Sequence, residues 1–266
     1  MSRLQTCFDN LRTQKRTALI PFITAGDPTP ALTVPLMHAL VDAGADVIEL
    51  GIPFSDPMAD GPVIQRASER ALAAGTRLRD VLDMVKTFRE QNQTTPVVLM
   101  GYLNPIEIMG YKTFVLTAKS VEVDGVLTVD LPPEEVAEFG ELLRSHAIAQ
   151  IFLLAPTTTQ ERIKSICNQA SGYLYYVSLK GVTGSANLDV TAVADKLAEI
   201  RQHTNLPIGV GFGIKDAESA AKVAKISDAV IVGSALVRLV ETVPQEKLLE
   251  TIRGFVRELR QAMDVL

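Results

Sequence analysis

The chain has 266 residues, 47% of them hydrophobic, enough for one large α/β unit or two small ones. A net charge of -5 argues against nucleic-acid binding, which wants a basic face. The two cysteines, Cys7 and Cys167, form no metal-ligand spacing and fit reduced thiols in a cytoplasmic protein. Apolar runs such as Ala229-Val230-Ile231-Val232 are far too short to span a bilayer, and the N-terminus lacks the apolar core of a secretory signal.

In chain order, Leu4, Cys7, Phe8 and Leu11 recur at helical spacing behind Ser2. This predicts a short amphipathic helix with Ser2 as its N-cap. Eight β-rich runs follow, starting near Leu19, Asp46, Val97, Gly125, Ala149, Tyr173, Ile208 and Ala229, each trailed by a helical pattern. Most intervals suit one βα unit, the crossover that parallel strands need. The interval after Asp46 is longer: it holds the loop Ile52 to Gly61 and room for more than one helix. The interval after Tyr173 holds a second long loop, Leu179 to Leu188.

Eight βα units in about 250 residues predict a (β/α)8 TIM barrel with an added N-terminal helix. No linker or composition break interrupts it, so one domain over 1–266 is expected. A doubly wound open sheet would place a glycine fingerprint after its first strand. The sequence there is Ala25-Gly26-Asp27-Pro28, which does not fit.

The densest chemistry lies in Ile48-Glu49-Leu50-Gly51-Ile52-Pro53-Phe54-Ser55-Asp56-Pro57-Met58-Ala59-Asp60-Gly61. It begins as a buried strand and ends as a Gly/Pro-rich loop. Strand side chains alternate, so Val47 and Glu49 share one face while Ile48 and Leu50 share the other. If Ile48 and Leu50 pack against helices, Glu49 points into the barrel mouth. A buried carboxyl is costly unless paired or protonated, which makes Glu49 a candidate for acid/base work. Asp60 follows in the loop, at the strand end where barrels build their active sites. A core strand followed by a solvated acidic turn would need neither role.

Three late segments suggest an anion cradle: Gly181-Val182-Thr183-Gly184-Ser185, Gly209-Val210-Gly211-Phe212-Gly213-Ile214 and Gly233-Ser234-Ala235. The last opens a helix, whose N-terminal N–H groups attract anions. Barrels often hold phosphate in the loops after strands seven and eight. No lysine-bearing phosphate loop is present, so a phosphorylated small substrate is expected rather than a hydrolysed nucleotide. Each glycine alone could simply turn a tight corner. His38, His146 and His203 lie outside every such loop and read as structural or surface residues. The residues by themselves define a phosphate-binding barrel with a carboxylate acid/base.

The run from Ile48 to Gly61 resembles the signature of the tryptophan synthase alpha subunit family. The likeness extends from Pro21-Phe22-Ile23-Thr24-Ala25-Gly26-Asp27-Pro28 through the Gly-Val-Thr-Gly loop and the Gly-Phe-Gly turn to Gly233-Ser234-Ala235. It implies retro-aldol cleavage of indole-3-glycerol phosphate to indole and glyceraldehyde 3-phosphate, with no cofactor in this chain. By resemblance, Glu49 is the movable acid/base and Asp60 accepts the indole N–H. Thr183 meets Asp60 when the site closes, and Tyr175 lies near the glycerol hydroxyls. Phe22, Met100, Leu127 and Phe212 line the indole pocket, although each also fits plain barrel core. Met100 stands where leucine is more usual, a swap of similar volume. Gly184, Gly213, Gly233 and Ser234 would bind phosphate. The segment Ser178-Leu179-Lys180 matches no fixed family pattern.

The resemblance also implies a partner, a beta subunit carrying pyridoxal phosphate in an α2β2 tetramer, which receives indole through a tunnel. Pro53, Asp56 and Asn104 would face it. Two other readings stand beside this one. A different phosphate-binding barrel, such as an isomerase or an indole-glycerol-phosphate synthase, would share the glycine loops but not the Glu49 to Gly61 run. An alpha-like module that only activates a partner would be expected to lose Glu49 or Asp60, and both are present. A stand-alone indole-releasing lyase is a variant of the main reading.

Overall fold

The computed structural model describes residues 2–178, 190–211 and 213–265. Helix α1 (Arg3–Thr13) precedes strand β1 (Ala18–Thr24), and α2 (Pro30–Asp42) leads to β2 (Ile48–Gly51). Two helices, α3 (Pro62–Ala73) and α4 (Leu78–Arg89), fill the long interval before β3 (Val97–Gly101). Two more, α5 (Leu103–Met109) and α6 (Tyr111–Ser120), precede β4 (Gly125–Thr128). Then come α7 (Ala137–Ser145), β5 (Ala149–Leu154), α8 (Gln160–Gln169), β6 (Leu174–Val177), α9 (Val190–Arg201) and β7 (Ile208–Gly211). The chain closes with α10 (Ala217–Ala224), β8 (Ala229–Val232), α11 (Ser234–Thr242) and α12 (Gln245–Asp264).

All eight strands pair in parallel and in sequence order, and β8 returns to β1 to close the barrel. The fold is the predicted TIM barrel. Two predicted strand starts shift slightly: β2 begins at Ile48 rather than near Asp46, and β6 at Leu174 rather than near Tyr173. The Val47 N–H reaches the Leu19 carbonyl only at 3.5 Å, and the Tyr173 N–H turns back to the Ser171 carbonyl at 3.1 Å, so neither joins a regular ladder.

Alternation divides the core in two. Ile48, Leu50, Val97, Leu99 and Val230 face outward and pack under the helices. Ile20, Val47, Val98, Leu127, Ile151, Tyr173 and Ile231 face inward and fill the barrel. Helix α1 caps the barrel's lower end with Leu4, Phe8 and Leu11, which join the inward cluster. Its predicted N-cap forms: the Ser2 hydroxyl accepts the Gln5 N–H at 3.2 Å. Cys7, on the same helix, packs at the edge of this cluster and lies beside Asp46, with Sγ 3.4 Å from that residue's carbonyl oxygen.

A side chain placed just before each even-numbered strand ties it to the strand before. Asp46 accepts the Leu19 N–H at 2.8 Å, Asp124 the Val97 N–H at 2.9 Å, and Asp228 the Ile208 N–H at 2.9 Å. The Ser171 hydroxyl accepts the Gln150 N–H at 2.9 Å in the same way. Each of these four residues returns its own N–H to the carbonyl of the partner it holds. Both backbone polar groups at the start of β1, β3, β5 and β7 are thereby used, which a buried strand end requires. The aspartates are held in turn by Arg260, Arg89 and Arg201.

Candidate active site

Glu49 occupies the inward face of β2, as the alternation predicts, and is 0% exposed. One carboxyl oxygen accepts a short hydrogen bond from the hydroxyl of Tyr173, at the foot of β6 on the opposite side of the barrel. The other oxygen, Oε2, has no hydrogen-bond partner among the described residues. Burial pushes the Glu49 carboxyl up to about 7, against the opposing pull of the Tyr173 hydrogen bond. A carboxyl poised there exchanges protons readily near neutral pH. Tyr173 is itself raised well above the usual phenol range, first by burial and then by the neighbouring carboxylate.

Asp60 ends the loop that leaves β2. Its Oδ2 accepts a hydrogen bond from the Tyr102 hydroxyl at 3.1 Å, and burial raises its carboxyl above the ordinary value. Gly61 is the N-cap of α3, and Gln65 one turn on donates to the Asp60 carbonyl at 2.9 Å. The loop is thus fixed at its end by a helix start. A cleft joins Asp60 to Phe22, Thr24, Gly51, Met100 and Tyr102. Thr24 is 3% exposed, and its hydroxyl has no partner among the described residues.

The predicted apolar wall is partly assembled. Phe22 pairs in register with Glu49, and Leu127 with Met100. Gly51 lets Phe22 lie flat across β2: a Cβ at Gly51 would come within 2.6 Å of the Phe22 ring. Tyr175 points inward from β6 over Gly211, where a Cβ would lie 2.2 Å from its hydroxyl.

At the phosphate end, Gly213 takes φ 78°, and Gly233 caps α11 without a side-chain hydrogen bond. The first N–H groups of α11, beginning at Ser234, start where Gly233 leaves β8. Phe212, Thr183 and Gly184 lie outside the described residues. Of the predicted partner-facing residues, Asp56 and Asn104 are exposed, whereas Pro53 is buried within this chain. Among the described residues no group of three or more His, Cys, Asp or Glu is arranged to hold a metal.

Sequence reasoning passed over Tyr173, Tyr102 and Thr24. Tyr173 carried a readable signal: it lies two residues before Tyr175 and so shares its inward face. Tyr102 carried none, because its contact depends on how a loop folds back.

Eight parallel strands around a buried carboxyl, with a second carboxyl on the loop after β2, define a TIM barrel, the fold of many enzymes whose sites lie at the C-terminal ends of the strands. A sequence model of the tryptophan synthase alpha chain family matches residues 8–264. The tryptophan synthase alpha chain of Thioalkalivibrio sulfidiphilus is 62% identical, covering 99% of this chain and 100% of its own. That of Cupriavidus metallidurans is 61% identical, again over 99% and 100%. The crystal structure of the alpha subunit from Legionella pneumophila superposes with a TM-score of 0.94 at 46% identity, covering 100% of both chains. An aminoacrylate-bound tryptophan synthase from M. tuberculosis gives 0.88 at 33% identity, covering 99% of this chain and 100% of that one. The chain belongs to the tryptophan synthase alpha chain family. It is a lyase that cleaves indole-3-glycerol phosphate and passes indole to a beta subunit. No helix among the described residues is long and apolar enough to cross a membrane.

Proposed function

We propose that Glu49 carries both proton transfers of the cleavage and that Asp60 stabilises the charge between them. Breaking the bond to indole C3 needs that carbon protonated, so that the ring becomes a leaving group. It also needs the adjacent side-chain hydroxyl deprotonated, so that a carbonyl can form. The two steps balance: Glu49 gives one proton to C3 and takes one from the hydroxyl. The electron pair of the broken bond returns to the ring as indole leaves. The observation that carries this reading is the carboxyl of Glu49, wholly buried, raised to about 7 and with one oxygen unpartnered among the described residues.

Protonation at C3 places positive charge on the ring nitrogen. A fixed carboxylate accepting the N–H lowers the energy of that state most, because the charge exists only after protonation. Asp60 serves this role, with Thr183 closing against it. Phe22, Met100, Leu127 and Phe212 sandwich the ring, and Tyr175 contacts the glycerol hydroxyls. The phosphate binds at Gly184, Gly213, Gly233 and Ser234, where the uncapped start of α11 supports the assignment.

The ring supplies its own electron sink, so this chain needs no cofactor for the cleavage. Pyridoxal phosphate belongs to the beta partner, in an α2β2 assembly docked over Asp56 and Asn104, with Pro53 supporting the loop from beneath. The assembly is placed in the cytoplasm. Indole release from indole-3-glycerol phosphate, measured with and without the beta subunit, tests the reading. Slow release that rises with the partner is expected. Fast release without the partner makes the chain a stand-alone lyase, and none under either condition leaves only a phosphate-binding module.

A further inference from the structure

We propose that Tyr102 is a positioning residue for the cleavage, fixing the Asp60 carboxylate so that one oxygen is held and the other meets the ring N–H. The inference rests on the role given to Asp60 above. The Tyr102 hydroxyl sits between two groups of the loop after β2. It accepts the Ala59 N–H at 3.0 Å and lies 3.1 Å from Asp60 Oδ2. A backbone amide can only donate, so the single phenol proton is directed to the carboxylate. Among the described residues, Tyr102 is the one side chain that hydrogen-bonds this carboxylate.

The same side chain grips the other limb of the loop. The Tyr102 ring stacks on Phe54, with centroids 5.1 Å apart and planes 26° from parallel. Phe54 lies near the start of the loop and Ala59-Asp60 near its end, while Ser55, Asp56 and Met58 between them are exposed. A carboxylate on such a segment is placed only as well as its anchor is. Tyr102 is a rigid anchor: it is 3% exposed, follows the last residue of β3 and is the N-cap residue of α5. Catalytic groups held by side chains that are themselves locked in place keep the geometry the transition state needs. Helix α5 also carries Asn104, so one residue links the partner-facing helix to the carboxylate that meets the ring nitrogen.

The test is a double-mutant cycle on indole release. Tyr102→Phe keeps the ring and its stack on Phe54 and removes only the hydroxyl. It should lower kcat at least about tenfold, the worth of a hydrogen bond to a charged group, with KM changed less than about threefold. In an Asp60→Asn background the same substitution should cost less than about threefold, because the group it positions has already lost its charge. Full additivity of the two losses overturns the proposal, as does an unchanged kcat in Tyr102→Phe alone. If Asp60→Asn by itself leaves turnover unchanged, the role of Asp60 falls and this inference falls with it. That outcome is distinct from additivity, which removes Tyr102 only.

Discussion

Replacing Asp124 by alanine should cost far more stability than the same change at Asp228, although both residues make the same clamp. Each accepts the first N–H of the preceding odd-numbered strand, but Asp228 pairs with Arg201 alone, whereas Asp124 pairs with Arg89 and, at 3.2 Å, with Arg3. Their surroundings differ. The Asp124–Arg89 pair, 2.5 Å apart, has both side chains 5% exposed, whereas the Asp228–Arg201 pair, 2.8 Å apart, is 43% and 41% exposed. Removing Asp124 strands the Val97 N–H and leaves the Arg89 charge without its carboxylate, while Arg3 loses one of its two and keeps Glu122 at 2.7 Å. Arg89 keeps carbonyl acceptors at Thr95, Asn92 and Glu122, but these supply no counter-charge. Breaking a buried pair from one side costs about 3–5 kcal/mol. An exposed pair contributes about 0–1 kcal/mol, so Asp228→Ala should cost about 1–2 kcal/mol once its lost amide acceptor is added. Urea unfolding followed by far-ultraviolet circular dichroism reads both as midpoint shifts at constant slope. Equal shifts for the two variants would refute the claim that the buried ion pairing, rather than the shared backbone clamp, sets the cost.

The buried Glu49 makes stability fall with pH in a definite window. Its folded value of about 7 lies above the ordinary 4.5 of the unfolded chain, so its contribution is full below about pH 4.5 and lost as pH rises through about 7. Glu49→Gln removes that loss. Relative to the parent it should gain about 2–3 kcal/mol between pH 5 and pH 8, and urea midpoints that keep the same difference at both pH values would contradict this. Tyr173→Phe deletes the hydrogen bond that opposes burial. The inflection of kcat/KM against pH should therefore move upward relative to the parent, and an unmoved profile would detach Tyr173 from Glu49. Gly213 adopts φ 78°, a conformation side chains rarely take, so Gly213→Val should displace this turn. KM for indole-3-glycerol phosphate should rise at least about tenfold with kcat less affected, whereas an unchanged KM would place the phosphate elsewhere.

The inward face of β2 was legible because Val47 and Glu49 alternate against Ile48 and Leu50, and one period of two decides which way a carboxyl points. Helix α1 was legible for the same kind of reason: Leu4, Phe8 and Leu11 share one face behind a good N-cap. What escaped was contact between distant segments. Glu49 and Tyr173 are 124 residues apart and meet only because β2 and β6 face each other across a closed barrel. Tyr102 meets Asp60 because a loop folds back over the end of β3, which no periodicity encodes. Asp46 stood in the sequence only as the start of a β-rich run, yet its carboxylate holds the Leu19 N–H and the Arg260 guanidinium at the foot of the barrel.

Indole release by Glu49→Gln, with binding of the phosphorylated substrate measured on the same preparation, bears most directly on the role given to Glu49. Glutamine keeps the size of the side chain and can still accept the Tyr173 hydroxyl, but it cannot give or take a proton at pH 7. Turnover should vanish while the substrate dissociation constant stays within about threefold of the parent. A variant that still releases indole at a comparable rate would show that another group moves the protons, and that the buried carboxyl of β2 is not the acid/base of this lyase.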